Sequence, residues 1–547
     1  MIQHFQFLRT VSFYFPCHWW RVKSQKIQLI IIPSFIFILF FSSVSFAQIS
    51  QPNRLEKIQG NSANSFNIIS MKEQGLALVR DKEEYKEGKK LWEVILLDSI
   101  LKETWTSDIA TENRYKLIGY EYIPDAVFFL FRSGETEADF LHLVQIGLTN
   151  HEIKRFDIKH QFNLRLTHFS VVGGQALLGG YVIREPAVLL YEMATNQVKV
   201  VPGFFLTDTE LLDLRVNVNN TFNAVLMERG KKEKKQLLVK TFDELGRLIL
   251  EDEINIDQDK TVLAAQTSIL KRDEMMVLGS YGETNSKQAI GIFSVLVDPF
   301  NNQSIRYFDF AQFDHFLDYM SAKRASKIKA KSQRDREAGK TPDLRLYVQP
   351  IRIEECDAGF ILISEVYQPT SNLTPYPYWN NYYNPNGYYP YGFNSFSNRY
   401  YNTPYSSSTH TQSSDYRIME TAVTLFDAQG KLVWDHSLKL PDIHVPALEQ
   451  AGDFIFLGNR TLIGYKKEGE IKTKLRFNND SQAVEDTVKI VLSNPADVLR
   501  YDSKEEGGLR HWYHNSFYAW GFQSIKDREK GGDQVRYVFY INKIRVD

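Results

Sequence analysis

The residues of this chain whose types and spacing could support chemistry are few and scattered. His511 and His514 would pair as metal ligands on a helix, but they precede a strand-like run, and residues three apart on a strand point to opposite faces. Asp435 and His436 have the chemistry of an acid–base pair, yet adjacent residues on a strand do not converge. These spacings therefore predict structural histidines and no metal site.

No familiar catalytic motif accompanies these residues. The sequence contains no Gly-x-Ser-x-Gly elbow, no His-Glu-x-x-His zinc helix, no phosphate-binding loop and no paired cysteine motif. Cys356 has only Arg352 nearby as a basic activator, which predicts a buried structural thiol. We therefore expect no bound cofactor and assign no catalytic residue.

Residues 1–47 have the pattern of a secretory signal peptide. Basic residues precede the apolar run 27–41, and small residues mark a cleavage site before Gln48. The run is short for a membrane span and is interrupted by Pro33, which leaves an uncleaved anchor as the alternative. Translation from a later start would leave residues 1–21 outside the protein. The pattern predicts export to the periplasm, the outer envelope or the cell exterior.

Composition limits the partners of the chain. The formal net charge is −1 over 547 residues, and it becomes slightly more negative once the basic leader is removed. A mildly acidic, exported chain is a poor candidate for general nucleic-acid binding. One cysteine remains beyond the leader, so no intramolecular disulfide is expected and stability depends on a large core. We expect no nucleic-acid partner and, at most, peripheral association with a membrane.

Short apolar strands recur along the rest of the chain; four of the seven intervals between them are close to 50 residues, and the two longest contain insertions. Eight such runs are countable: 76–79, 126–130, 176–178, 222–226, 275–278, 360–363, 454–457 and 517–520. Segments 237–249 and 422–433 share the order strand, Asp-x-x-Gly-basic turn, strand, which predicts a hairpin whose Asp caps the turn and whose Gly takes a positive φ. Units of several strands without a helix are typical of propeller blades.

The repeat predicts an all-β fold in which residues 48–547 form a β-propeller of seven or eight four-stranded blades. A strand from the other terminus commonly completes the last blade, and residues 535–541 are the candidate for that part. In this rhythm the chain resembles quinoprotein-like and kelch-like propellers, and the resemblance implies that Trp434 locks neighbouring blades together. The resemblance covers residues 48–547 and rests on the strand rhythm and the hairpins. Two β-sandwiches in series are the competing architecture.

The first of two insertions spans residues 310–342. Apolar residues at helical spacing predict an amphipathic helix that begins near Gln312, continues through a basic run and ends before Gly339. The candidate residues for binding an anionic partner, such as an envelope polymer or lipid head groups, are Lys323, Arg324, Lys327 and Lys331. The alternative is a helix packed on the propeller rim by its aromatic end, with a solvated charged tail.

The second insertion, residues 370–416, is rich in Tyr, Asn, Pro and Ser and has neither a helical nor a strand period. Tyr and Trp combine a flat apolar area with a polar tip, which suits sugar rings and protein surfaces. The alternative is a low-complexity loop without a partner. The candidate binding residues in this loop are Tyr376, Tyr378, Trp379, Tyr382, Tyr383, Tyr388, Tyr389 and Tyr391.

Two functions from different classes remain open. The first is an exported, non-catalytic propeller scaffold whose insertions bind a protein or polysaccharide of the cell envelope. The second is an exported propeller enzyme, either a glycan hydrolase or lyase or a quinone-type dehydrogenase, because carboxylates that line a propeller channel come from different blades and leave no motif. A cluster of carboxylates, His or Arg at one mouth of the channel would favour the enzyme. Exposed apolar area at the insertions would favour the scaffold.

Overall fold

A computed structural model describes residues 49–59, 65–133, 140–159, 163–228, 235–271, 274–284, 286–298, 300, 303–370, 416–445, 448–478, 482–527 and 534–547. These residues belong to one compact unit, Ala47–Asp547. They form eight four-stranded antiparallel sheets and one α-helix, α1 (Ala322–Glu337). The predicted signal peptide, residues 1–47, lies outside the described residues.

The sheets follow one another along the chain as blades 1 to 8. Blade 1 contains β2 (Asn67–Ser70), β3 (Leu76–Lys86), β4 (Lys89–Leu97) and β5 (Glu103–Thr111), and blade 2 contains β6 (Tyr115–Ile123), β7 (Ala126–Ser133), β8 (Phe140–Gly147) and β9 (Ile153–Lys159). Blade 3 contains β10 (Leu164–Val172), β11 (Gln175–Val182), β12 (Glu185–Glu192) and β13 (Gln197–Val200), and blade 4 contains β14 (Thr209–Val216), β15 (Phe222–Glu228), β16 (Gln236–Phe242) and β17 (Leu248–Asn255). Blade 5 contains β18 (Lys260–Thr267), β19 (Met275–Glu283), β20 (Gly291–Val297) and β21 (Arg306–Asp309), and blade 6 contains β22 (Tyr347–Cys356), β23 (Gly359–Pro369), β24 (Tyr416–Phe426) and β25 (Leu432–Val445). Blade 7 contains β26 (Gly452–Phe456), β27 (Arg460–Lys467), β28 (Glu470–Phe477) and β29 (Ala483–Lys489), and blade 8 contains β30 (Val498–Tyr513), β31 (Ser516–Lys526), β32 (Val535–Val546) and the N-terminal strand β1 (Ile49–Ile58).

The eight blades close into a ring. A buried apolar cluster lies between each pair of neighbouring blades, including the contact of blade 8 with blade 1. At most junctions the first strands of neighbouring blades contact one another, so the first strands line the axis of the ring. This arrangement is an eight-bladed β-propeller. The predicted fold class is confirmed, and the alternative of two sandwiches in series is wrong.

The predicted apolar runs are mostly the second strands of their blades. These strands are covered on both faces by neighbouring blades, which explains why their sequences are continuously apolar. The run 454–457 is the exception, because it begins in β26, a first strand that is also apolar. The expectation that a strand from the other terminus completes the last blade is confirmed, but the segment assigned to that part was wrong. The segment 535–541 lies in β32, the third strand, and β1 completes the blade by pairing with β32 at its outer edge.

The two Asp-x-x-Gly segments form third-to-fourth-strand hairpins, as predicted. In blade 4, Asp243 Oδ1 accepts the backbone N–H groups of Leu245 and Arg247, at 3.0 and 2.8 Å. Gly246 follows at φ 75° and Gly430, in the matching turn of blade 6, at φ 74°. The Asp side chain therefore holds the turn, and the Gly supplies the left-handed residue that ends it.

The first insertion differs from the predicted continuous helix. Helix α1 begins at Ala322 rather than near Gln312, and residues 310–312 form a short 3-10 helix. The segment between them runs as turns whose Phe310, Phe313 and Phe316 side chains are buried between blades 5 and 6. Successive turns place apolar residues three apart, so the spacing resembled a helix without requiring one. Among the described residues no helix is long and apolar enough to cross a membrane.

Candidate functional site

Both insertions leave the ring on the same face. Strands alternate in direction within a blade, so the turns joining first to second and third to fourth strands lie on one face, which we call the turn face. Second-to-third connections and the connections to the next blade lie on the opposite face. Insertion 310–342 joins β21 to β22, and insertion 370–416 joins β23 to β24. We call the face that carries both of them the insertion face.

Helix α1 is fixed to the ring by side chains on one of its sides. Ala325 and Ile328 pack against the apolar cluster between blades 5 and 6, and Ser332 is buried. Arg336 forms an ion pair with Asp309, whose side chain is only 6% exposed. The described part of this insertion therefore holds its apolar residues in the core and offers charge, rather than apolar area, to solvent.

The predicted cationic residues of α1 are all exposed. Lys331 pairs with Asp343 at 2.9 Å, a contact between two solvent-exposed side chains. Lys323, Arg324 and Lys327 lie in the first half of the helix, and the described residues provide no ion pair for them. The predicted aromatic residues of the second insertion lie outside the described residues.

The inner wall of the ring carries a second set of polar residues, which sequence reasoning did not find. In five blades the first strand contains a β-bulge near the start of its pairing with the second strand. The bulged residues are Ile118, Thr167, Leu212, Leu263 and Ile351. A bulge bends its strand and redirects the side chains that follow. Polar residues follow in each of the five strands: Glu121, His168, Ser170, Asp213, Arg215, Gln266, Arg352 and Glu354.

The polar residues of the inner wall join neighbouring blades through hydrogen bonds. Ser170 Oγ of blade 3 donates to Glu121 Oε2 of blade 2 at 2.9 Å. Thr267 of blade 5 donates its hydroxyl to Asp213 Oδ2 of blade 4 at 2.7 Å and its backbone N–H at 2.9 Å. Buried carboxylates thus satisfy donors of the adjacent blade, which fixes the angle between blades.

Four charged side chains meet where blades 6, 7 and 8 adjoin on this wall. Arg352 donates to Glu354 Oε1 through Nε and Nη2, at 2.8 and 2.6 Å, and to Asp453 Oδ1 at 2.6 Å. Asp453 Oδ2 accepts the backbone N–H of His511 at 2.8 Å. Arg352 and Asp453 are buried, whereas the Glu354 and His511 side chains are 29% and 23% exposed.

The ionisation of this cluster follows from its contacts. Burial would raise the pKa of Glu354, but the Arg352 guanidinium lowers it to about 2, so this carboxylate stays ionised. His511 Nε2 lies 3.0 Å from the carbonyl oxygen of His514, which only accepts, so Nε2 carries a proton. Burial would lower the pKa of His511, but Glu354, 3.8 Å from Nδ1, raises it above the ordinary value. The Glu354 carboxylate therefore stabilises the imidazolium form of His511 more than water would.

This cluster lies towards the turn face. Glu354 and His511 precede the first-to-second-strand turns of their blades, at residues 357–358 and 514–515. It therefore sits near the opposite end of the ring axis from the insertions. A carboxylate and an imidazole, supported by a buried Arg–Asp pair, therefore lie side by side at one mouth of the ring.

The histidines considered from the sequence have separate surroundings. His514 Nε2 lies 3.3 Å from Glu73 Oε1 of blade 1, while His511 faces Glu354 of blade 6. No group of three residues able to hold a metal ion occurs in the described parts of the chain. Cys356 is a free thiol of intermediate exposure, and burial raises its pKa.

The side chains of Asp435 and His436 make different contacts, as expected of neighbours on a strand. Asp435 accepts the backbone N–H groups of Asp314 and His315, both at 2.7 Å, so it anchors the first insertion to blade 6. His436 faces blade 7, and burial, assisted by Arg476, lowers its pKa to about 3. Trp434 stacks on the His436 ring at 4.4 Å and packs in the cluster between blades 6 and 7. It lies at a contact between blades, as the propeller resemblance implied.

Comparison with known proteins identifies no family for this chain. No family model matches the chain, and no curated protein matches it by sequence. The polysaccharide lyase Uly1 aligns at 9% identity and TM-score 0.35, over 90% of this chain and 100% of its own. The propeller domain of the Trilobed protease from Pyrococcus furiosus aligns at 8% and 0.32, over 77% and 95%. One of two prolyl endopeptidases aligns at 8% and 0.36, over 85% and 53%. At these sequence identities and TM-scores, the similarity carries no information about activity.

Proposed function

We propose that this protein is an exported, non-catalytic propeller scaffold that binds a protein or polysaccharide of the cell envelope through its insertion face. The observation that carries the proposal is topological, because the two insertions join different strands and yet leave the ring on the same face. Loops on a rigid frame are the usual place for binding residues. Export rests on the signal-peptide pattern of residues 1–47.

The anchoring of the first insertion supports a binding role. The buried phenylalanines fix the start of the insertion, and the Arg336–Asp309 ion pair fixes helix α1. The carboxylate of Asp435 binds the backbone of the segment that precedes the helix. The basic side of α1 is thereby presented in a fixed orientation, which reduces the entropy lost when a partner binds. A charged segment without such anchors would be free to move in solvent.

Co-purification from native envelopes tests the proposal. Tagged protein is compared with a variant in which residues 370–414 are replaced by a short Gly/Ser turn, and bound proteins and glycans are identified by mass spectrometry. We expect a stoichiometric partner with the intact protein and its loss from the shortened one. Equal recovery of both proteins without any partner would contradict the proposal.

A second candidate, an exported glycan hydrolase or lyase, is favoured by the cluster at the turn face, which is the kind of cluster expected of the enzyme. There the ionised carboxylate of Glu354 lies beside the imidazole of His511, whose pKa it raises, and both side chains are partly exposed. The described part of the first insertion exposes charge and not the apolar area expected of the scaffold, so the scaffold rests on the shared face and the anchoring of the insertion. The matched variants are Glu354→Gln and Lys431→Gln, of which the second removes an exposed charge from a turn on the same face. Turnover of an envelope glycan that is lost with the first variant and kept with the second would support the enzyme.

A further inference from the structure

The basic residues of α1 divide into two groups with different surroundings. In the second half of the helix, Arg336 pairs with Asp309 and Lys331 with Asp343. In the first half, Lys323, Arg324 and Lys327 are exposed, and none has an ion pair within the described residues. These three residues lie within about 6 Å along the helix axis, at the standard rise per residue.

The position of these three cations is unfavourable for the helix itself. The first turn of a helix is the positive end of its dipole, where acidic residues stabilise and basic residues destabilise. The first turn of α1 contains no acidic residue, and Ser321 makes no capping hydrogen bond through its side chain. Lys323 and Arg324 stand there instead. The stability of α1 therefore does not account for them, whereas binding of negative charge does.

We propose that the side of α1 formed by Lys323, Arg324 and Lys327 is a binding site for an anionic polysaccharide. This inference rests on the proposed function, because it names the partner class of one part of the insertion face. Ammonium and guanidinium groups attract carboxylate or sulfate groups along a polymer, and release of the polymer's counterions adds to the affinity. The helix holds the three cations at fixed spacing, as a regularly charged polymer requires.

A lipid surface fits this helix less well. Helices that lie on membranes bury an apolar side among the acyl chains. In α1 the apolar residues Ala325 and Ile328 already pack against the cluster between blades 5 and 6. The exposed side therefore offers charge without an apolar anchor, which suits a hydrated polymer.

The test measures binding of the full chain, expressed with its signal peptide, to polygalacturonate over a range of salt concentrations. The variant Lys323→Gln/Arg324→Gln/Lys327→Gln is compared with Lys102→Gln/Lys154→Gln/Lys431→Gln, which removes the same charge from exposed positions at the turn face. We expect the α1 variant to bind at least about tenfold more weakly at low salt. For a densely charged polymer, the plot of log K against log salt concentration should be less steep for the α1 variant, by about 2–3 in the slope.

Equal affinities for the two variants would overturn the proposal, and so would binding to anionic phospholipid vesicles but not to polygalacturonate. Loss of polymer binding only in the α1 variant, with unchanged thermal unfolding, would support it. Co-purification separates this inference from the proposed function. If an envelope protein still co-purifies while polygalacturonate fails to bind, the polysaccharide site on α1 is refuted and the scaffold function is retained.

Discussion

Replacing Arg54 by methionine tests how the ring closes. Arg54 lies on β1, the strand that completes blade 8, and its side chain is 7% exposed. Its guanidinium donates to Glu56 Oε1, Asn542 Oδ1 and Gln523 Oε1, each at 2.7 Å. It also lies over the ring of Tyr540, 4.4 Å from the centroid. One side chain thus joins β1 to β31 and β32 without a disulfide.

The magnitude follows from what methionine leaves unpaired. Methionine retains the aliphatic part of the side chain but removes every donor, so two amide oxygens and one carboxylate oxygen lose a buried partner. Glu56 keeps a contact with Arg536 at 3.2 Å, which limits how much the loss of Arg54 destabilises this carboxylate. A buried group left unsatisfied costs about 1–3 kcal/mol, and we expect a total of about 3 kcal/mol. That corresponds to an increase of about a hundredfold in the opening constant of β1.

Hydrogen exchange of the β1 and β32 amides measures this opening directly. The matched control is Arg545→Met on β32, whose side chain is 56% exposed and pairs with the exposed Asp547. The control should change the local stability by less than about 0.5 kcal/mol. The reasoning is refuted if the two variants exchange alike, or if the Arg54 variant keeps the protection of the wild type.

Three further predictions concern the blades around the candidate sites. Glu365 Oε1 accepts the N–H groups of Ala451 and Gly452, both at 2.8 Å, and burial raises its pKa to about 7. Because the folded-state pKa lies above the ordinary value, the wild type should lose up to about 3 kcal/mol as the pH rises from 4.5 to 8. Glu365→Gln, which keeps the acceptor, should remove that loss in denaturant unfolding at each pH. Glu354→Gln should lower the pKa of His511, because burial then acts without the carboxylate; an unchanged imidazole titration by NMR would contradict this. Gly430→Ala should lower the free energy of unfolding by about 1–2 kcal/mol, since φ is 74° and a Cβ would lie 2.9 Å from Ser294 Oγ; equal free energies would show that the turn tolerates a side chain.

The sequence predicted the blades because the signals lie within short segments. Second strands such as β7 and β11 are buried on both faces and appear as unbroken apolar runs. Strand β1 was missed because it lies at the outer edge of blade 8, contains Pro52 at a register shift and is mostly half-buried. It therefore offers no apolar run. The start of α1 was misplaced because turns reproduced the spacing of a helix.

The inner-wall cluster could not be predicted for a different reason. Arg352, Asp453 and His511 are far apart in sequence and come from three blades, so only the closed ring brings them together. The one local signal is the alternation of Arg352 and Glu354 on a single strand, which is common on half-buried strands. The bulges that redirect these side chains leave no residue pattern that the eight units share.

The central claim, that the insertion face binds a partner, is tested most directly by site-specific photo-crosslinking in native envelopes. A photoreactive residue replaces Ser326, an exposed position of α1 beside Lys323, Arg324 and Lys327, or Lys431, in the third-to-fourth-strand turn of blade 6 on the turn face. Adducts are identified by mass spectrometry of proteins and glycans. The account predicts adducts from Ser326 and none from Lys431. Adducts from Lys431 alone, or from neither position, would contradict it.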